Sequence, residues 1–184
     1  MKDITLLKSQ AERCSNILLS LSKNPQSLQN NFFKKIKIED LIKLSFEKFN
    51  TNKVLSIKFE NTNKDISILY KDEINYAFNN IIQNAIQHSI NEVNVAITRD
   101  SKYLSIMITD DGPGFSRDIF NKIGEPYIKS LTPKNNTKSG LGLGIFIGKT
   151  LLEKNRAKLL FRNSETRGGA EIKIEWLNKN LIDI

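Results

Sequence analysis

The chain has 184 residues, 39% of them hydrophobic and 26% charged, with a formal charge of +8. This is enough for one ordinary domain with a real core plus a short extra element, and no apolar run approaches the roughly 20 residues of a membrane span. The basic residues are scattered, with no stripe interleaved with aromatics, so the surplus reads as a solvated surface rather than a nucleic-acid face.

The beginning of the chain lacks the basic-then-apolar shape of a signal peptide, so a cytoplasmic protein is expected. There is one cysteine, Cys14, which excludes an internal disulfide and a zinc site made of cysteines. There is one histidine, His88.

In chain order, residues 3–21 read as an amphipathic helix. Ile4, Leu7, Ala11, Cys14, Ile17, Leu18 and Leu21 recur at spacings of three and four. Its apolar stripe needs burial against another helix, such as one from a second copy. The run Lys23-Asn24-Pro25-Gln26-Ser27 is a stop signal and linker. A short strand is expected over 35–38 and a helix over 39–49. Two strands over 54–59 and 66–70 are joined by a turn-like segment, 61–65. A strong helix covers 72–89. Strands over 93–98 and 104–109 form a hairpin about residues 100–102.

A short helix over 116–123 has Ser116 as its cap, and another helix runs over 141–155. Strands over 159–162 and 170–177 make a final hairpin through 166–169. Strands in hairpins with helices gathered separately predict an α+β, two-layer sandwich. The polar segment 125–138, with Pro126 and Pro133, is long for a compact domain and reads as a lid over a ligand.

Three motifs carry chemistry. In the first, Asn80 and Asn84 lie four apart on one helix and share a face, with Gln83, Gln87 and His88 nearby. An amide oxygen suits Mg²⁺, a hard ion that takes oxygen ligands. In the second, Asp110-Asp111-Gly112-Pro113-Gly114 follows a strand. A carboxylate at Asp110 can accept the exocyclic amine of adenine, and Gly112 and Gly114 let the backbone turn and approach the ring. In the third, Ser139-Gly140-Leu141-Gly142-Leu143-Gly144 leads into a helix whose free N–H groups and dipole favour phosphate. No Gly-Lys-Ser/Thr follows, so it is not a Walker loop, and no βαβ unit surrounds it as in a dinucleotide fingerprint. Each motif has a bland reading: a polar helix face, an ordinary strand-to-helix turn, a glycine cluster. In this order they supply what an ATP pocket with Mg²⁺ needs.

The arrangement resembles the N, G1 and G2 boxes of the GHKL (Bergerat) ATP-binding fold, and specifically those of bacterial sensor histidine kinases. The resemblance covers nearly the whole stretch from Phe33 to Leu177. Ile123-Gly124-Glu125-Pro126-Tyr127 looks like the F box that opens the ATP lid. Together with residues 6–18 and 140–147, it looks in particular like the RegB/PrrB group of redox-responsive sensor kinases.

The resemblance implies a partial dimerisation and phosphotransfer helix at 1–23, a linker at 24–32 and a catalytic domain at 33–184. It implies Mg²⁺ and catalysis served by Asn80 and Asn84, and adenine held by Asp110. Nucleotide contacts fall to Gln87, His88, Gly112, Gly114, Tyr127, Lys138, Ser139, Gly140, Leu141, Gly142, Leu143 and Gly144. It further implies a cognate response regulator, a homodimer in the intact kinase, and the cytoplasmic side of a membrane-bound sensor.

The chain departs from the family pattern in three places. No phospho-accepting histidine box is present, since His88 lies in the N box. Gln87 stands where many members have a basic residue. Lys138 replaces the glycine that often opens the G2 box, and its cation can reach toward phosphate. For Cys14 two readings stand: a small core residue, or a redox-active thiolate stabilised by Arg13.

Three functions follow. The first is a kinase module donating the γ-phosphate of ATP to a histidine outside this chain. The second is a hydrolase of the gyrase, Hsp90 or MutL kind, which needs a carboxylate where Asn80 stands; an amide is no general base. The third is a non-catalytic binding module.

Overall fold

The computed structural model describes residues 35–62, 65–128, 142–165 and 168–182. The chain divides into two compact units, Met1–Lys34 and Lys35–Ile184, and all described residues fall in the second. The helix expected over 3–21, Cys14, the linker, most of the lid, and Lys138, Ser139, Gly140 and Leu141 lie outside the described residues.

The elements are β1 (Lys35–Lys37), α1 (Ile38–Glu47), β2 (Val54–Glu60), β3 (Ser67–Leu69), α2 (Asp72–His88), β4 (Glu92–Arg99), β5 (Tyr103–Asp110), α3 (Gly144–Lys154), β6 (Ala157–Asn163), β7 (Ala170–Leu177) and a short α4 (Asn178–Ile182). A five-stranded sheet has the order β2-β4-β5-β7-β6, and β1 and β3 form a separate pair. α2 and α3 lie against one face of the large sheet and α1 packs on α2, which gives the expected two layers.

Strand alternation creates that arrangement. Val93, Val95 and Ile97 of β4, Leu104, Ile106 and Ile108 of β5, and Ile172, Ile174 and Trp176 of β7 point to the same side and are buried. α2 meets them with Ile74, Ala77, Phe78, Ile81, Ile82 and Ala85. Phe78 and Trp176 stack with ring centroids 6.4 Å apart. The indole N–H donates to the carbonyl of Asn155 at 3.0 Å, so the one polar atom of this large side chain is satisfied in the core.

α2 and α3 close on each other through Gly148. A Cβ there would stand 2.7 Å from Ile81 Cδ1 and 3.3 Å from the Ala77 carbonyl oxygen. The far ends of the two helices are tied by charge. Lys154 Nζ donates to Glu73 Oε1 at 2.8 Å, and Asn155 Nδ2 donates to Glu73 Oε2 at 3.1 Å.

Three expectations are corrected. β2 and β3 are not a hairpin: β2 pairs in parallel with β4, Val54 opposite Glu92, while β3 pairs antiparallel with β1. The chain thus changes sheets between Glu60 and Ser67, and α2 is the crossover that a parallel pair needs. Between 116 and 123 only Phe120–Lys122 is helical, as a 3-10 turn. Its bonds run i to i+3, with Ile119 N on Ser116 O and Lys122 N on Ile119 O. α3 begins at Gly144 rather than 141, because Gly142 has φ +69° and cannot join a right-handed helix. α4 is an element the pattern did not signal; Asn178 at its start donates Nδ2 to Asp100 O at 2.8 Å and steadies the β4–β5 turn.

Candidate nucleotide site

The first motif lies on α2, whose spacing of apolar residues commits one face to the sheet. Asn80 is 5% exposed, and its Nδ2 donates to the Tyr76 carbonyl one turn back at 2.8 Å. Asn84, on the next turn, is half-buried, and Gln87 and His88 are exposed at the end of the helix. The pair thus grades from the core to the surface along one line of the helix.

Asp110 ends β5 and is 3% exposed. Its Oδ1 accepts the N–H of Gly112 at 2.9 Å and the N–H of Ala170 at 3.2 Å. Burial pushes its carboxyl above the usual range; the two amides oppose this without cancelling it. The glycines explain how the backbone comes so close. A Cβ at Gly112 would lie 2.1 Å from the His88 carbonyl oxygen, and one at Gly169 would lie 1.8 Å from that of Asp110. Gly112 therefore lets the end of α2 close onto the turn, and Gly169 lets the β6–β7 turn close onto Asp110. Gly114 does adopt a left-handed φ of +74°.

The next residue, Asp111, was passed over in the sequence. Its carboxylate accepts from the N–H groups of Ile90, Asn91 and Glu92. Burial would raise its pKa, but these backbone donors outweigh it and hold the carboxyl below the usual range. Lys53 was also missed. Its ammonium donates to the carbonyls of Ile86, at 2.8 Å, and Ser89. No local pattern in the sequence marks a lysine that acts 33 residues away.

Beyond the turn, Asn163 of β6 grips the backbone of Phe115 at both ends. Phe115 N–H donates to its Oδ1 at 2.7 Å, and its Nδ2 donates to Phe115 O at 2.9 Å. The Phe115 ring sits edge-on to Phe120 and Phe161, at 6.5 and 6.3 Å. Gly124, at φ +87°, packs over Lys149 of α3, and a Cβ at Gly142 would meet the Ile128 carbonyl oxygen at 2.2 Å. The F-box segment is thus seated on the start of α3. Tyr127 is 71% exposed with φ +63°. Leu143 caps α3 without a side-chain bond, and its first turn carries no acidic residue. The N–H groups of that turn and the helix dipole suit an anion.

The structure therefore gathers His88, Asp110 and Gly112 into one contact cluster, with Gly114 at its edge. It places Asn80 and Asn84 on the helix that α3 packs against, and Gly142, Leu143 and Gly144 at the head of α3. A hollow of about 320 Å³ lies elsewhere, on the outer face of the sheet among Met107, Leu160, Arg162 and Lys173. Arg162 there is paired with Glu171 and Lys173 with Glu175, and the hollow holds none of the motifs.

Residues 70–180 match the model of the histidine kinase-, DNA gyrase B- and HSP90-like ATPase family. The chain belongs to this family. Members similar to it include the sensor histidine kinase RegB of Cereibacter sphaeroides, 26% identical over 196 residues, covering 95% of this chain and 42% of RegB. The sensor histidine kinase CpxA of Escherichia coli is 27% identical over 185 residues, covering 96% of this chain and 39% of CpxA. The chain thus spans about two-fifths of the length of these relatives.

Among solved structures, the mycobacterial sensor histidine kinase MprB superposes with a TM-score of 0.65 at 19% identity, over 78% of this chain and 97% of that one. The catalytic domain of histidine kinase ThkA does so with a TM-score of 0.61 at 21% identity, over 79% and 97%. These likenesses establish the fold, which the chain shares with these histidine kinase structures. Among the described residues, no helix is long and apolar enough to cross a membrane.

Proposed function

We propose that this chain is the catalytic, ATP-binding domain of a two-component sensor histidine kinase, which donates the γ-phosphate of ATP to a histidine outside it. The observation that carries the reading is Asp110: a buried carboxylate, fixed by two backbone amides on one oxygen and walled by glycines. Among the described residues its other oxygen carries no hydrogen bond, which suits a donor such as the adenine amine. Gly112 and Gly114 allow the base to approach. Gly142, Leu143 and Gly144, with Lys138, Ser139, Gly140 and Leu141 before them, serve the phosphates, and Gln87, His88 and Tyr127 border the nucleotide.

The residues present also fit Mg²⁺. Among the described residues, no group of three or more His, Cys, Asp or Glu is placed to hold a metal ion. Mg²⁺ is commonly held by one or two protein oxygens together with substrate phosphates. Asn84 and Asn80 suit that division: Asn80 directs Nδ2 to Tyr76, which leaves Oδ1 as an acceptor. When bound, the ion neutralises phosphate charge. Phosphoryl transfer then rests on positioning and charge, for which no protein nucleophile is needed.

The histidine-box hairpin of the same kinase, a response regulator and a kinase dimer are the partners this reading implies, with the domain on the cytoplasmic side. The first 23 residues would be part of the dimerisation hairpin, with Cys14 a candidate redox thiol. The hydrolase reading is less favoured, because Asn80 offers an amide where a hydrolase needs a carboxylate base.

The test is binding of a non-hydrolysable ATP analogue with and without Mg²⁺, followed by transfer from ATP to a supplied histidine-box hairpin. Binding that strengthens with Mg²⁺, and acid-labile phosphate on the hairpin but not on His88, is expected. Steady hydrolysis without transfer would favour the second reading.

A further inference from the structure

The corner between α2 and β4 is held by charge from both sides. On its amide side, three successive N–H groups converge on Asp111: Ile90 at 2.7 Å, Asn91 at 3.1 and 2.9 Å to the two oxygens, and Glu92 at 3.2 Å. Successive backbone amides turned toward one anion form a nest, a strong site for a carboxylate. On its carbonyl side, the Lys53 ammonium takes the oxygens of Ile86 and Ser89, and Ser89 Oγ adds a bond to Ile86 O at 3.1 Å. A cation at the C-terminal end of α2 also has the right sign for the helix dipole.

The corner touches the adenine carboxylate's support directly. The His88 carbonyl oxygen occupies the space a Cβ at Gly112 would fill, at 2.1 Å. Gly112 N–H is in turn one of the two donors on Asp110 Oδ1. Asp111 is the peptide neighbour of Asp110, so its anchoring also fixes the end of β5. A displacement of the corner must move Gly112, the strand end, or both.

We propose that Asp111 and Lys53 are positioning residues for base recognition: by clamping the α2–β4 corner they set where Asp110 meets the adenine amine. This rests on the reading of Asp110 given above. Neither residue touches the nucleotide. Both act through Gly112 and the end of β5.

A plain stabilising role would weaken all nucleotides alike, whereas a positioning role weakens the contact to the amine. Inosine triphosphate lacks that amine, so the ratio of ATP to inosine triphosphate affinity reads the contact. The ratio is measured on the full chain for wild type, Asp111→Ala, Asp111→Asn, Lys53→Met, Lys53→Arg and Asp110→Asn, with unfolding midpoints alongside.

Asp111→Ala and Lys53→Met are expected to lower the ratio roughly tenfold, the effect of about one hydrogen bond, and Lys53→Arg to restore most of it. Should Asp111→Ala fail to fold, Lys53→Met and Asp111→Asn carry the comparison. A preference lost in Asp110→Asn but kept in the clamp variants would overturn the clamp alone, as would equal weakening of both nucleotides. A wild type with no preference for ATP would overturn the adenine reading of Asp110, and the clamp's role with it.

Discussion

Asp110→Asn exchanges one oxygen for an amino group at a point where two backbone donors already converge. The Gly112 and Ala170 N–H groups, at 2.9 and 3.2 Å, both require an acceptor. A carboxamide has one acceptor oxygen, and these amides claim it. Its NH₂ must then face the adenine amine, donor against donor. The lost bond to a charged acceptor is about 1.5–3 kcal/mol, which weakens ATP roughly ten- to a hundredfold.

Stability should move the other way. The folded-state pKa of Asp110 is raised because burial outweighs its amide bonds. Between the ordinary carboxylate value and the raised one, the folded protein keeps a proton the unfolded chain has released. Stability therefore falls as pH rises through that window and stays lower above it. The variant carries no such charge, so at neutral pH it is expected to be at least as stable as wild type. Its advantage should shrink as pH falls. Calorimetric ATP binding and urea unfolding at neutral and acid pH test both halves. Unchanged ATP affinity in a folded variant would refute the reasoning, and so would a loss of stability confined to neutral pH.

Ser45 of α1 is 1% exposed, and its Oγ finds no partner among the described residues, so Ser45→Ala is expected to raise stability by about 1 kcal/mol in urea unfolding. Gly148→Ala should cost about 1–3 kcal/mol, since the added Cβ would stand 2.7 Å from the fully buried Ile81 side chain and 3.3 Å from the Ala77 carbonyl oxygen. Glu73 loses some charge stabilisation to burial, yet Lys154 and Asn155 prevail and lower its pKa. Its contribution is present above the ordinary carboxylate value and fades as pH falls through the lowered one, so Glu73→Gln should flatten the acid limb of the stability profile.

The α2 helix, the β4–β5 and β6–β7 hairpins and the Asp110 turn were legible because their signals are local: period 3.6, period 2, and a carboxylate followed by glycines. The parallel pairing of β2 with β4 was not. Nothing within Val54–Glu60 distinguishes an edge strand that joins β4 across a helix from one that turns back on β3. A second reason for Gly112 was also hidden. A carbonyl from α2 stands where its side chain would be, a contact that no local pattern signals. Gly169 looked like ordinary hairpin chemistry, yet a side chain there would strike Asp110, so it is a wall of that carboxylate's seat. Lys53 and Asp111 act through backbone atoms brought to them by the fold, so residue type and spacing could not reveal them.

Trp176 is the chain's one tryptophan and is 1% exposed between the sheet and α2. Intrinsic fluorescence excited selectively at the indole therefore comes from a single known place. Its register partner on β5 is Leu104, six residues along the strand from Asp110, which puts it about 20 Å from that carboxylate and from a nucleotide seated there as proposed. A nucleotide in that seat cannot quench it by contact. Emission should be that of an indole shielded from water and should shift red only when the helices leave the sheet. A change in emission on adding ATP to the folded protein would report motion of α2 or of the α3–β6 junction, where the Asn155 carbonyl holds the indole N–H. The same residue that closes the core is thus an optical probe that separates unfolding from occupancy, with no label attached.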